Sequence, residues 1–196
     1  MKKLFVLLLA LILVILPLFS CEDEESANNY EATHTATIEI ENYGTIELEL
    51  YGNEAPITVE NFVKLAGEGF YEGLTFHRIM NGFMMQGGGY DASGAEKRAD
   101  SIKGEFSSNG VNNPILHERG VISMARTYIP DSASSQFFIM HETSPHLDGE
   151  YAAFGKVTSG LDVVDKICTE VTPLDGNGSI SLSQRPIIKS VTVTEK

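Results

Sequence analysis

Residues 76–89 read FHRIMNGFMMQGGG, and the organisation of the whole chain follows from this stretch. It combines aromatic and thioether side chains with Arg78 and Gln86, polar groups that an ordinary core strand would not bring along. Residues 134–140, SSQFFIM, repeat an amide beside aromatic rings. We interpret the two stretches as strands lining a shallow apolar pocket with a few fixed polar groups, a composition typical of small-ligand or peptide sites. The pattern alone fits equally well two amphipathic strands of a β core, with Arg78 simply solvated.

The composition limits the possible functions. The chain has 196 residues, enough for one domain and a short appendage, and its 42% of hydrophobic residues suffices for a core. Asp and Glu number 27 against 14 Lys and Arg, which gives a formal net charge of −13. Because so acidic a surface repels phosphate backbones, we expect no nucleic-acid partner.

The N-terminus predicts export. Lys2 and Lys3 precede an apolar run over residues 4–19, which is short for a membrane-spanning helix of about 20 residues. Residues 18–21, LFSC, resemble a bacterial lipobox, whose cysteine receives a diacylglyceryl group before cleavage on its N-terminal side. The alternative is an uncleaved N-terminal anchor. Both interpretations place the remaining chain outside the cytoplasmic membrane, because the two lysines favour the cytoplasmic side.

These features divide the chain into three parts. We predict a lipoprotein signal peptide over residues 1–20 and a lipid anchor on Cys21. Residues 21–34 are acidic and lack apolar periodicity, which predicts a flexible tether. Residues 35–196 are predicted to form the folded domain. The expected location is the extracytoplasmic side of a bacterial cell membrane.

Short strands dominate the folded part. Apolar residues alternate with glutamates over 38–50, around a turn signal at 42–44, and this pattern predicts a hairpin. Residues 88–120 are polar and rich in Gly and Asn, which indicates a functional loop. Further strands are predicted at about 74–79, 82–87, 121–125, 136–140, 152–157 and 187–193.

Two short helices complete the pattern. After Pro56, apolar residues at 59, 62, 63 and 66 have helical spacing, and Thr58 is a plausible N-cap. A second helix is predicted over residues 160–167. Many short strands and two short helices predict a mainly β fold, a closed β-barrel capped by helices.

Several kinds of chemistry are disfavoured. Residues 87–89, GGG, are not followed by the Gly-Lys-Ser/Thr of a phosphate loop, and Ser134 and Ser135 lack the Gly-x-Ser-x-Gly of a hydrolase. The five histidines show no paired metal-ligand spacing, so we predict no metal site. Cys168 lies in an apolar helical pattern, which favours a small buried residue over a nucleophile.

Four segments carry a resemblance to a known family. They are FHRIMNGFMMQGG, GVISMAR, SASSQFFIMH and HLDGEYAAFGKV, in this order along the chain. They resemble the cyclophilin-type peptidyl-prolyl cis-trans isomerases, and the likeness runs from about Thr35 to Thr194. The short forms around Arg126 and His146 are similar to the bacterial branch. The resemblance implies an eight-stranded antiparallel barrel closed by two helices, and an enzyme without a cofactor.

The resemblance also implies roles for individual residues. Arg78 matches the arginine that acts on the prolyl nitrogen, and Gln86 matches an amide that hydrogen-bonds in the site, so both are expected to be catalytic. No proton-transfer role is assigned to His77. The substrate-binding residues implied are His77, Phe83, Met84, Ala125, Arg126, Gln136, Phe138, His146, Leu147 and Tyr151.

Three positions depart from the best-known eukaryotic members. His146 and Tyr151 stand where those members carry Trp and His, and Arg126 stands where they carry Asn. We expect these departures to change substrate side-chain preference and the binding of cyclosporin, a cyclic peptide that many members bind at this pocket. Because Arg78 and the proline pocket are intact, we expect activity to be retained.

The expected function is therefore an isomerase of X-Pro bonds that assists the folding of exported or envelope proteins. Its expected partners are proline-containing polypeptides and, through Cys21, the membrane, and the chain is expected to be monomeric. The alternative is a membrane-tethered module with the same fold that binds Pro-containing partners, its isomerase activity being incidental. An intact Arg78 favours the enzyme, because a pure binder needs the pocket but not the arginine.

Overall fold

The computed structural model describes residues 30–196. The predicted signal peptide, Cys21 and most of the predicted tether lie outside the described residues. In the described range, neither α-helix is long and apolar enough to span a membrane.

Within residues 30–196, eight antiparallel strands form one curled sheet. In chain order they are β1 (His34–Ile40), β2 (Gly44–Leu50), β3 (Leu74–Met80), β4 (Met84–Asp91), β5 (Val121–Met124), β6 (Phe137–Met140), β7 (Ala153–Ser159) and β8 (Ile188–Glu195). Their order across the sheet is β3-β4-β6-β5-β7-β2-β1-β8. This arrangement confirms the predicted hairpin, which is β1–β2, and the mainly β class.

The predicted closed barrel is wrong, because β3 and β8 do not pair as a continuous ladder. Where these two edges approach each other, Thr75 and Ile187 form only an isolated bridge. The rest of this edge of β3 is occupied by the loop that precedes β8. The N–H of Ile79 donates to Gly178 O at 2.8 Å, and the N–H of Phe76 donates to Pro186 O at 2.9 Å. Proline has no N–H to return a bond, so the ladder cannot continue there and the barrel stays open.

Strand β4 extends further than predicted and includes the run of three glycines. A Cβ placed on Gly87 would lie 2.9 Å from the ring of Phe76 and 2.9 Å from the carbonyl oxygen of Thr75. Gly87 therefore serves close packing between β3 and β4, whereas a Cβ on Gly88 or Gly89 would meet Ser135 O or the side chain of Gln136. The predicted 88–120 loop begins only after Asp91.

Two helices pack on the sheet, as predicted. They are α1 (Pro56–Gly67) and α2 (Leu161–Glu170). The predicted N-cap of α1 is wrong: Ala55 occupies that position, and Thr58 lies inside the helix with Pro56 at its start. The first-turn N–H groups are instead satisfied by a distant carboxylate, because Glu105 accepts from Ile57 N at 3.1 Å and from Thr58 N at 2.8 Å.

Alternation along the strands separates two apolar clusters. In β6, Phe137 and Ile139 face the interior cluster between the sheet and the helices, where Phe137 contacts Phe62 edge-on at 5.7 Å. Phe138 and Met140 point the opposite way, into a second cluster on the outer face. Because side chains in a strand alternate between faces, each short strand supplies both the core and the outer face.

Cys168 lies on the inner face of α2 and is buried. Burial, with a smaller contribution from nearby Asp165, raises the pKa of its thiol to about 12. The prediction of a small buried residue rather than a nucleophile is therefore confirmed.

Candidate active site

A row of directly opposed residues crosses four neighbouring strands on the outer face of the sheet. Arg78 on β3 is opposite Gln86 on β4, Gln86 is opposite Phe138 on β6, and Phe138 is opposite Ser123 on β5. Opposed residues on one face of a sheet lie within side-chain contact distance. Strand pairing therefore brings together the two stretches from which the sequence analysis began.

The guanidinium of Arg78 is held from several sides. Its Nε donates to the carbonyl oxygen of Asn177 at 2.7 Å, and Nη1 donates to Gln86 Oε1 at 3.3 Å. The sulfur atoms of Met80 and Met84, at 3.2 and 3.8 Å, are only weak acceptors. Because arginine carries five N–H donors, donors remain for a carbonyl or nitrogen of a bound peptide.

These residues border a small cavity of about 130 Å³ beside the Arg78 side chain. All of its lining residues belong to the set implied by the family resemblance. They are Arg78, Phe83, Met84, Gln86, Ala125, Arg126, Phe138, Leu147 and Tyr151. The structure thus brings nine of the twelve predicted catalytic and substrate-binding residues to one place.

The floor of this cavity is apolar and rigid. Phe138, Met84 and Leu147 are buried in the outer cluster, and the Phe138 ring meets the Tyr151 ring edge-on at 5.8 Å. Behind Phe138 lies the ring of His117, stacked at 6.0 Å with an 18° angle between the planes. Such a floor suits an apolar ring the size of proline while leaving one side open to Arg78.

His117 has a role in this site that its sequence context does not indicate. Its side chain is fully buried, its Nδ1 lies 3.1 Å from Asp148 Oδ1, and its Nε2 lies 3.0 Å from Ser123 Oγ. This is a Ser-His-Asp arrangement in outline, but Ser123, although on the outer face of the sheet, is fully buried and has no access to a substrate. The three residues hold Phe138 from behind, and no sequence motif indicates this.

Arg126 contributes to the cavity wall in an unexpected way. Its guanidinium lies between the rings of Phe106 and Tyr151, with its central carbon 4.9 and 4.7 Å from their centroids. Its Nε donates to Glu150 O at 2.8 Å and Nη1 donates to Thr127 O at 2.9 Å. Because the Arg126 guanidinium already makes these contacts within the protein, it forms part of the cavity wall and is not a free cation for a ligand.

Gln136 lies outside this cavity but is linked to it. The Nε2 of Gln86 donates to Gln136 Oε1 at 3.0 Å, while Gln86 Oε1 accepts from Arg78. The two amides extend the polar row from Arg78 into an adjacent, larger cavity of about 400 Å³, which Gln86, Ala125 and Arg126 also border. A peptide in the first cavity can therefore continue across this polar row into the second.

His146 lies at the rim rather than in the lining. It is exposed, in a short 3₁₀ helix, Pro145–Leu147, and its ring stacks on Phe83. Leu147 of the same turn is buried and forms part of the floor. This single turn thus supplies both a floor residue and a rim residue.

His77, implied to bind substrate, is not among the residues that border the cavity. Its ring contacts Tyr90 edge-on at 4.7 Å, and its Nδ1 is buried without a hydrogen-bond partner. Burial first, then the nearby charge of Arg185, lowers the pKa of His77 to about 4. His77 is therefore neutral at physiological pH, and its ring packs against Tyr90 instead of bordering the cavity.

No group of three or more His, Cys, Asp or Glu residues within residues 30–196 is placed to hold a metal ion. The site described above consists of hydrogen-bond donors, acceptors and an apolar floor. Such a site can bind and orient a peptide group and stabilise a changed charge distribution in it.

Comparisons with known proteins agree with this geometry. The profile of the family described as "Cyclophilin type peptidyl-prolyl cis-trans isomerase/CLD" matches residues 35–193. The chain is 50% identical over 123 residues to peptidyl-prolyl cis-trans isomerase B of Bacillus subtilis, covering 63% of this chain and 82% of that protein. It is 40% identical over 162 residues to peptidyl-prolyl cis-trans isomerase B of Escherichia coli, covering 79% of this chain and 96% of that protein.

Solved structures show the same fold. The crystal structure of a Cryptosporidium parvum cyclophilin-type isomerase in the presence of the dipeptide Ala-Pro superposes with a TM-score of 0.67 at 27% identity, covering 83% of this chain and 99% of that one. The match to the family profile spans nearly all of the described residues. The chain belongs to the cyclophilin-type peptidyl-prolyl cis-trans isomerase family and is a peptidyl-prolyl cis-trans isomerase.

Proposed function

We propose that this isomerase acts on X-Pro bonds of exported or envelope proteins at the outer face of the cytoplasmic membrane, with Arg78 as the central catalytic group. The observation that carries the catalytic part is the position of the Arg78 guanidinium, fixed beside a small cavity with the apolar ring of Phe138 in its floor. The membrane part is supported by the apolar run over residues 4–19 and by Cys21 in a lipobox-like context.

The reaction requires no bond to break. The barrier to rotation about a peptide bond, about 18–20 kcal/mol, arises because the nitrogen lone pair is conjugated with the carbonyl. Seating the proline ring on Phe138 would place the prolyl nitrogen near Arg78. A guanidinium that donates to this nitrogen favours the pyramidal, deconjugated geometry of the twisted state.

Arg78 does not account for catalysis by itself. A hydrogen bond to a charged group contributes about 1.5–3 kcal/mol. A millionfold acceleration requires about 8 kcal/mol. The remainder must come from holding the proline ring on the buried floor and from fixing the neighbouring carbonyls in a partly dry site. The Gln86–Gln136 pair is placed to provide such hydrogen bonds.

The alternative, a tethered binding module with incidental activity, would use the same apolar floor. It would not need the Arg78 guanidinium to be held by both Asn177 and Gln86. Fixing an arginine side chain in one geometry costs conformational entropy, which is worthwhile where the fixed donor stabilises a transition state. The held arginine therefore supports catalysis as the function.

A protease-coupled assay with a short X-Pro peptide tests the catalytic proposal. Removing one preorganised donor from an active site typically costs about 10²–10³ in rate, so we expect Arg78→Ala to lose most of its activity while staying folded. Lys189→Ala, which removes an exposed cation on β8, is the control and should retain full activity. Retention by Arg78→Ala of more than half of the wild-type activity, with an unchanged unfolding temperature, would show that Arg78 is not catalytic.

The location is tested in spheroplasts of a host that processes bacterial lipoproteins. We expect the folded domain to be digested by protease added to spheroplasts, because the proposal places it on the outer face. A domain that resists the protease until the membrane is lysed would contradict the proposed location.

A further inference from the structure

The shortest hydrogen bond of the Arg78 guanidinium is accepted by a loop that lies outside the four segments on which the family resemblance rests. The carbonyl oxygen of Asn177, 99 residues further along the chain, accepts from Arg78 Nε at 2.7 Å. A backbone carbonyl can orient an arginine only if the loop that carries it is itself fixed. Other contacts must therefore hold Asn177 in place.

On one side, the carboxylate of Asp175 holds the loop. Its Oδ1 accepts from the backbone N–H of Asn177 at 2.9 Å and from that of Ser179 at 3.0 Å. The N–H of Gly178 returns to the carbonyl of Asp175 at 3.2 Å, and the N–H of Leu174 donates to Ser179 O at 2.7 Å. Two of these four bonds end on Asp175 Oδ1, and one of the two holds the N–H of Asn177, so the orientation of Asn177 depends on the Asp175 side chain.

On the other side the loop is docked on β3, the strand that carries Arg78. The N–H of Ile79 donates to Gly178 O at 2.8 Å, and the N–H of Ile180 donates to His77 O at 3.0 Å. Gly178 has φ of +86°, and a Cβ there would lie 2.5 Å from Met80 Cγ. Only glycine fits this approach, and it lets the loop pair closely with the strand on both sides of Arg78.

We propose that Asp175 is a positioning residue for catalysis, which acts through the Asn177 carbonyl to hold the Arg78 guanidinium in its working orientation. The inference rests on the proposed catalytic role of Arg78. The Asp175 carboxylate is exposed and the backbone N–H of Ser179, followed by the Ser179 side chain, lowers its pKa, so its acceptor is fully charged at neutral pH. Without it, the loop would keep its docking on β3 but lose the constraint on the Asn177 peptide plane.

The chain offers a matched control for the loss of such a turn. Asp91 Oδ1 accepts from Ser93 N at 2.8 Å and from Ala95 N at 3.0 Å, the same spacing of two and four residues as at Asp175. Within residues 30–196 the Arg78 guanidinium donates to Asn177, Gln86, Met80 and Met84, and none of these lies in the turn at Asp91. Asp175→Ala and Asp91→Ala therefore remove equivalent local structure, and they differ in their connection to the active site.

The experiment measures kcat/KM on an X-Pro peptide for Asp175→Ala, Asp175→Asn and Asp91→Ala, each alone and in the Arg78→Ala background. We expect Asp175→Ala to lose about tenfold, since misplacing a catalytic group by a fraction of an ångström has effects of this size. Asp175→Asn keeps an acceptor oxygen and should restore activity to within about twofold of wild type. In the Arg78→Ala background, Asp175→Ala should cause no further loss.

Three results would overturn the proposal. They are wild-type activity in Asp175→Ala, an equal loss in Asp91→Ala, or an equal loss from Asp175→Ala with and without Arg78. A failure of the proposed catalytic role is distinguishable from these, because it would appear as full activity in Arg78→Ala itself. If Arg78→Ala is inactive and Asp175→Ala is fully active, only the positioning role fails.

Discussion

The rings of Phe83 and His146 stack with their centroids 5.7 Å apart and their planes 28° from parallel. Phe83 borders the cavity beside Arg78, and His146 covers Phe83 from the solvent side at the position where cyclosporin-binding members carry Trp. An imidazole offers less flat apolar surface than an indole, and it donates only from whichever nitrogen is protonated.

We therefore predict weak inhibition by cyclosporin. Losing some 50 Å² of apolar contact at about 25 cal/mol per Å² costs roughly 1.2 kcal/mol. A missing hydrogen bond adds about 0.5–1.5 kcal/mol. Together they weaken inhibition by roughly ten- to a hundredfold. His146→Trp should recover much of the affinity with little change in catalysis, as measured by titrating the drug into the peptide assay. Equal, tight inhibition of wild type and variant would contradict this.

The second prediction concerns pH and His77. Its pKa is about 4 in the folded protein, against 6.5 for the unperturbed group, because burial and Arg185 disfavour the charged ring. The unfolded chain thus binds more protons between these two values. The contribution of this group to the free energy of unfolding is therefore fully present above pH 6.5 and is lost as the pH falls toward 4. By pH 5 the loss from this group should be about 1–2 kcal/mol.

His77→Phe tests this relation, because it removes the titrating group and keeps a ring against Tyr90. Denaturant unfolding at pH 7 and pH 5 should show that the variant loses less stability than wild type over this interval. Parallel losses in the two proteins would mean that His77 does not titrate in this window.

The third prediction concerns α1. The Glu105 carboxylate is 3% exposed and accepts from two N–H groups at the start of this helix. Hydrogen bonds to a charged acceptor contribute about 1.5–3 kcal/mol, so Glu105→Ala should destabilise the domain by about 2–3 kcal/mol. Glu60→Ala, in the same helix but exposed, should change the free energy of unfolding by less than about 0.5 kcal/mol. Similar effects of both substitutions would show that Glu105 does not cap α1.

The fourth prediction concerns the membrane anchor. Cleavage before Cys21 and lipidation of its thiol should give a membrane-extracted protein whose intact mass begins at Cys21 and includes acyl chains. Two acyl chains suffice for stable attachment, whereas one alone is marginal. Cys21→Ser should abolish the modification, and Cys168→Ser should leave it unchanged because that thiol is buried in the domain. A mass that starts at Met1, or an unmodified Cys21, would refute this prediction.

Much of the fold is determined by local sequence. The alternation of apolar residues and glutamates predicts the β1–β2 hairpin, because strand side chains alternate between a buried and an exposed face. The apolar spacing after Pro56 predicts α1, and the pattern around Cys168 predicts its burial. The residues beside the cavity were named from the family resemblance that four short segments carry, whereas the residue pattern of the two opening stretches predicted only that they line a common pocket.

Other features were decided by contacts between residues far apart in the chain. The barrel stays open because residues 178–187 occupy the edge of β3, and α1 is capped by Glu105 from 47 residues away. His77 belongs to the same segment as Arg78, yet the strand register shifts at this point and the His77 ring packs against Tyr90 instead of bordering the cavity. No local sequence pattern predicts which distant carbonyl or carboxylate will accept a hydrogen bond from a given N–H group. The Asn177 carbonyl at Arg78 therefore appears only when the chain is folded, since hydrogen-bond partners at this range are chosen by packing rather than by local propensity.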